Sequence, residues 1–205
     1  RVTCAAADRF VLDCDPGFGE STVARLSRFK IRVNAEIELQ RQTWRAVRST
    51  ESAATTNIAQ SLDVSGAIPA WRCDGTAFDF FSPTMVLPAT LREGTEAELQ
   101  ESRVRALWPE MGVDITTEMI PAETSVVDVA VSFTKGCYPG QELVERMDSR
   151  GTLAPVVVRA LSRDGLGVGA RVMENDQSVG TVTSIGAHVA LARIARTSTV
   201  GEPLV

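Results

Sequence analysis

The chain has 205 residues, 44% of them hydrophobic and 23% charged, with a formal net charge of −5. That is enough apolar material to bury a core as one or two compact units, and the acidic balance argues against wholesale electrostatic binding of nucleic acid. Cys4, Cys14, Cys73 and Cys137 are widely spaced and form no C-x-x-C pair, so neither a zinc site nor a redox dithiol is signalled. A reducing compartment suits so few cysteines in so long a chain. With no apolar run of membrane-spanning length and no signal-peptide core at the N-terminus, the sequence reads as cytoplasmic.

In chain order, Arg9-Phe10-Val11-Leu12-Asp13 reads as a short strand and Asp15-Pro16-Gly17 as a turn. Ser21 or Thr22 caps a helix with Val23, Leu26 and Phe29 on its apolar face. Ile31, Val33, Ala35, Ile37 and Leu39 alternate with Arg32, Asn34, Glu36 and Glu38, the period of a half-solvated strand. Trp44, Ala46 and Val47 fit another strand. Glu51 to Asp63, rich in Ala, Thr and Ser, reads equally as helix or loop. Pro69 to Arg72 and Ala77 to Phe81 read as two strands around the Asp74-Gly75 turn, with Trp71, Phe78 and Phe80 in the core.

A helix is expected from about Gly94 to Trp108, with Thr95 as N-cap, Glu98 at the capping-box position, and Leu99, Val104 and Leu107 facing inward. Val126, Val127, Val129, Val131 and Phe133 form a β-branched and aromatic run that predicts a strand. Gly136, Pro139 and Gly140 break it. From Gln141 to about Asp148 the pattern is helical, with Leu143 and Met147 on one face and Glu142 four residues before Arg146. Cys137 thus falls in a glycine-flanked turn ahead of a helix N-terminus, with Lys135 two residues away. That is the setting in which thiols become reactive.

After Gly151 only strand periods follow. Val156 to Leu161, Ala170 to Met173, Ser178 to Ser184 and Val189 to Ile194 are four short strands with turns between them, which predicts a barrel or sandwich. His188, the single histidine, has no Cys, Asp or Glu nearby at ligand spacing, so no metal site is expected.

Lys135-Gly136-Cys137-Tyr138-Pro139-Gly140-Gln141-Glu142, followed by Arg146, resembles the signature K-G-C-[FY]-x-G-Q-E-x-x-x-R of the YgfZ-type folate-binding proteins. These are relatives of the glycine-cleavage T-protein, an aminomethyltransferase. Arg103-Val104-Arg105, Pro109 to Asp114 and Ile120-Pro121-Ala122-Glu123 resemble the family's R-x-E-A-G-x-P-x-x-G-x-[DE] and I-P-x-E segments. The four C-terminal strands carry its V-G-x-V-T-S and A-L-A-x-I. Where the family commonly places a pterin-binding Glu, this chain has Arg105, and a guanidinium donates hydrogen bonds where a carboxylate accepts them. The opening Arg1-Val2 resembles the end of the family's G-R-V turn, so the resemblance implies that an N-terminal part is missing.

These readings give an α+β protein. Residues 1–150 form an incomplete T-protein-like α/β portion, and residues 151–205 a small C-terminal β-barrel. The resemblance implies a tetrahydrofolate-linked protein that supports iron–sulfur cluster assembly or repair, and tRNA modification. Cys137 would be its reactive group and Lys135 the nearby cation, with Gly136, Tyr138, Gly140, Gln141, Glu142 and Arg146 fixing the turn. Arg105, Asp114 and Glu123 are the positions implied for folate. The implied partners are a folate derivative and iron–sulfur client or assembly proteins. One alternative is a true aminomethyltransferase, although T-proteins share a K-x-x-F-I-G-type segment where this chain has its Cys turn. Another is a non-catalytic scaffold, favoured by Arg105 and the missing part. A cysteine peptidase is weaker, since His188 would be its only base.

Overall fold

The computed structural model describes residues 1–48, 68–70, 77–80, 91–150 and 154–203. The described residues up to Phe80 form one compact unit and those from Leu91 onward a second. Secondary structure is mixed α/β.

In the first unit, β1 (Val2–Ala6) and β2 (Arg9–Leu12) make an antiparallel hairpin. β3 (Arg45–Arg48), β4 (Ile68–Pro69) and β5 (Ala77–Phe80) make a second antiparallel sheet with β5 in the middle. Ala77 and Phe80 are buried in this sheet, and so is the carboxylate of Asp79. A buried carboxylate is tolerated only when cations and hydrogen bonds replace its water. Here Arg1 Nη1 and Arg48 Nη2 donate to its two oxygens at 2.9 and 2.8 Å. Arg1 also pairs with Asp13 at 3.0 Å, so one side chain ties the hairpin to the sheet.

Helix α1 (Gly19–Phe29) forms where Val23, Leu26 and Phe29 define an apolar face, but none of its residues is buried. Neither Ser21 nor Thr22 caps it. Both hydroxyls donate back to the Phe18 carbonyl, at 2.9 and 2.7 Å. The alternating run from Ile31 to Leu39 is not a strand: it is irregular, with Ile31 70% exposed. Alternation specifies a strand only when a neighbouring ladder takes up the backbone N–H and C=O groups, and this run pairs with no described strand. Glu51 to Asp63, Trp71 and the Asp74-Gly75 turn lie outside the described residues. The expected pairing around that turn is seen in Pro69 opposite Phe78.

In the second unit, α2 (Glu96–Arg105) carries the expected capping box. Thr95 Oγ1 accepts from the Glu98 N–H at 3.2 Å, and Glu98 accepts from the Thr95 N–H at 2.9 Å. The helix closes with the Trp108 N–H on the Arg103 carbonyl and the Leu107 N–H on the Val104 carbonyl. This closure puts Leu107 at φ 56, where glycine is usual. The run from Val126 to Phe133 is not a strand either. It forms the short helix α3 (Val127–Ala130), with Ala130 N–H on the Val126 carbonyl at 2.8 Å. Its β-branched residues favour a pleat, but the run pairs with no described strand. Helix α4 (Gln141–Arg150) follows.

The C-terminal strands are β6 (Val156–Ser162), β7 (Arg171–Glu174), β8 (Gln177–Ile185), β9 (Val189–Ala195) and β10 (Glu202–Pro203). They form one antiparallel sheet in the order β10-β6-β9-β8-β7. The first four coincide with the expected strands, and β10 was not foreseen. The sheet is not a closed barrel: among the described residues no ladder joins β7 to β10. β7 is four residues long and β10 two. Their ends do approach, because Thr199 N–H and Oγ1 donate to Glu174 at 2.9 and 2.5 Å. Period-two alternation gives the sheet two apolar faces. Leu161, Val172, Val182, Ala190, Ala192 and Ile194 cluster on one, while Val158 and Leu191 join Val104 of α2 on the other. Gly180 of β8 lies so close to β9 that a Cβ there would fall 2.3 Å from the Arg193 carbonyl oxygen.

Polar bonds cross the sheet-to-helix layer as well. Arg103 donates to Asp114 at 2.7 Å, to the Trp108 carbonyl at 2.7 Å and to Ser184 Oγ at 2.8 Å. The fully buried Asp114 also accepts from the Glu110 N–H at 2.9 Å and from Thr183 Oγ1 at 2.5 Å. The second unit comprises the described residues from Leu91 onward, on both sides of residue 150.

Two outcomes follow for stability. Asp114→Ala leaves the Arg103 charge buried beside the vacated space and should cost about 3–5 kcal/mol in urea denaturation. The exposed Arg105→Ala should stay within about 0.5 kcal/mol of the parent. Glu98 is held at about 2, first by the hydrogen bond from Arg92 and then by the Thr95 N–H. Because its folded value lies below the ordinary 4.5, its contribution is present above that pH and lost as pH falls towards 2. Melting curves of Glu98→Gln should therefore be flatter than the parent's across that window and lower above it.

Candidate functional site

Residues 131–140 leave α3 in extended backbone, turn, and enter α4. Gly140 is the hinge of the entry, with φ +89, a conformation that side chains with a Cβ resist. Gly136 needs no such conformation, and a Cβ added there would meet nothing within 4 Å. The Gln141 N–H bonds the Tyr138 carbonyl at 3.2 Å, and the Gln141 side-chain oxygen accepts from the Tyr138 N–H at 3.4 Å. These reciprocal bonds close the turn. Farther along, Gln141 donates to Glu145, and Arg146 pairs with Glu142 one helical turn earlier. Val144 is the buried anchor of the helix.

The turn exposes Cys137. Lys135 holds its ammonium 4.2 Å from the centre of the Tyr138 ring, a cation–π contact that fixes the ring and gives the charge a partner. The Tyr138 hydroxyl is buried with no hydrogen-bond partner among the described residues. Among the described cysteines, Cys4 and Cys14 are exposed too, and Cys4 donates to the Ala6 carbonyl at 3.2 Å. Cys73 lies outside the described residues. Chemically, the turn presents one unencumbered thiol to solvent, beside a lysine-capped aromatic ring and ahead of a helix N-terminus.

The three positions implied for folate are placed differently. Arg105 ends α2 and is exposed. The Asp114 carboxylate accepts its three hydrogen bonds from Arg103, Glu110 and Thr183, all within the fold. Glu123 caps the 3-10 turn Pro121–Glu123 by accepting from the Ile120 N–H at 3.0 Å. Arg103 is the residue the sequence reading passed over. Its place in the matched R-x-E segment was visible, but its pairing with Asp114, eleven positions on, was not. None of Arg105, Asp114, Glu123 or Cys137 lines the concavity at the C-terminal sheet. No group of three or more His, Cys, Asp or Glu is placed to hold a metal ion among the described residues. Nor is any described helix long and apolar enough to cross a membrane.

Fold and site together describe a mixed α/β protein that carries an exposed-thiol turn. No family model matches the chain. It is similar to a mouse (Mus musculus) protein named iron–sulfur cluster assembly factor IBA57, mitochondrial, with 28% identity over 223 aligned positions. The alignment covers 97% of this chain and 59% of the relative, so the chain spans just under three fifths of that protein's length.

The two motif glycines should separate by substitution. Gly140→Ala should cost about 1–2 kcal/mol, the penalty of a left-handed backbone. Gly136→Ala should fall within about 0.5 kcal/mol of the parent. Both are read by urea denaturation, with helical circular dichroism reporting α4.

Proposed function

We propose that the chain is part of a YgfZ-type protein that supports iron–sulfur cluster assembly or repair, linked to tetrahydrofolate, with Cys137 as its reactive group. The observation that carries this reading is the unbroken register of Lys135 to Glu142 and Arg146, realised as a turn whose cysteine faces solvent. The name of the mouse relative supports the same process. Its clients would be iron–sulfur proteins or their assembly partners, and a contribution to tRNA modification belongs to the same reading. The role requires a reducing compartment. The cytoplasm meets that requirement, and the mouse relative's name gives mitochondria for that protein.

The proposed architecture is a T-protein-like portion completed by further polypeptide, followed by a barrel-like C-terminal sheet. In its support, Val2, Phe10, Leu12, Leu26, Phe29 and Ile31 all lie exposed in the first unit, an apolar surface that water disfavours. The scaffold reading keeps one observation of its own: Asp114 spends its acceptor capacity inside the fold while Arg105 offers only donors.

Cells depleted of their own IBA57-like factor, and supplied with this sequence in its full-length context, should recover iron–sulfur enzyme activity. Cys137→Ser should lower that recovery about tenfold or more without changing the protein's abundance. Recovery equal to the parent's would remove the cysteine from the mechanism. In the purified chain, iodoacetamide should label Cys137 ahead of Cys4, and calorimetric titration with tetrahydrofolate should saturate. Saturation absent at millimolar ligand would leave the scaffold reading standing.

A further inference from the structure

We propose that the open seam of the C-terminal sheet, between β7 on one side and β6 with β10 on the other, takes an extended peptide segment as an added strand. Its occupant is apolar at alternate positions and carries a carboxylate near Arg171.

The seam follows from strand lengths. β10 pairs with only Arg159 and Ala160 of β6, so the β6 edge at Leu161 and Ser162 has no partner strand among the described residues. Among the described residues β7 pairs with β8 alone. An edge strand presents a row of backbone donors and acceptors, and natural sheets cover or blunt such rows. β7 reads Arg-Val-Met-Glu, charged at its two ends and uninterrupted by proline, with a shift of register between Val172 and Met173. The bond between Thr199 and Glu174 holds the two edges together at one end and leaves the rest apart.

Between the edges lies a concavity of about 840 Å³. Leu161, Leu166, Val172, Met173 and Val200 form its wall and floor, continuous with the apolar cluster beneath. Met173 is 51% exposed there, which a single added strand would cover. A small ligand is usually enclosed on most sides. This groove instead runs open between two backbone edges, the shape that strand addition uses. The four residues of β7 give a contact length of about 13 Å at roughly 3.3 Å per residue. Charge sets the polarity of the occupant. Arg171 lines the seam, is exposed, and has no hydrogen-bond or ion-pair partner among the described residues. Glu202 lines the opposite wall. A carboxylate therefore belongs at the Arg171 end. The inference rests on the sheet alone and is independent of the function proposed for the cysteine turn.

The probe is a dye-labelled hexapeptide of alternating valine and threonine with an aspartate at one end, made in both chain directions and titrated into the full chain by fluorescence polarisation. One direction should saturate below about 1 mM. Amide exchange should slow at Arg171–Glu174 and at Leu161 and Ser162, and nowhere in α4. Arg171→Glu, which removes no side-chain bond among the described residues, should weaken this peptide about tenfold and favour its lysine counterpart. Methylating alternate peptide nitrogens on the pairing side should also cost about tenfold or more. Equal binding of the methylated peptide would overturn strand addition, because side chains alone would then account for the affinity. No binding of either direction at 1 mM would overturn the site. So would concentration-dependent dimerisation abolished by Arg171→Glu, which would make a second copy the occupant.

Discussion

A guanidinium and a carboxylate held 2.7 Å apart and away from water stabilise a fold only when their remaining polar atoms are also paired. Arg103 and Asp114 meet that condition. The arginine spreads over a carbonyl, a hydroxyl and a carboxylate, and the aspartate collects a backbone N–H and a hydroxyl besides. The partners come from the end of α2, the loop after it, and β8. Two stretches far apart in sequence, α2 with the loop that follows it and β8, are thereby fixed to a common point that no apolar contact could specify as sharply. The apolar layer of Val104, Val158 and Leu191 around it supplies area, and the ion pair supplies register.

The first unit uses the same device with less protection. Asp79 receives two arginines, yet the hairpin and α1 contribute no buried side chain, so the carboxylate and the short β3–β5–β4 sheet carry the order of the described residues there. An ion pair of this kind has little apolar burial behind it, and apolar burial is the dominant favourable term in folding.

What the sequence could disclose depended on whether an element's partner lay nearby in the chain. β6 to β9 were legible because each pairs with another strand of the same C-terminal stretch, through turns that announce themselves. Asn175 and Asp176 both take positive φ in the two-residue loop between β7 and β8, the conformation those residue types tolerate. The cap of α2 was legible for the same reason: Thr95 and Glu98 answer each other within one turn. Residues 31–39 and 126–133 have strand composition but pair with no described strand, and composition by itself does not supply a partner. At the site, the glycine turn was readable from Gly140, while the Lys135 contact with Tyr138 was not. The positions are three apart, but only the turn's own geometry brings ammonium and ring together.

Gly180 gives the sheet a built-in ruler. The β9 carbonyl stands where its Cβ would be, so the spacing between β8 and β9 is set by the absence of a side chain at one position. The exposed Thr181 beside it is free to drift through evolutionary time. The ruler is not, because even a methyl group there pries apart the two strands that hold most of the apolar floor. A record of tolerated variation in this sheet would show an intolerant column beside a permissive one, at a residue with no chemistry of its own.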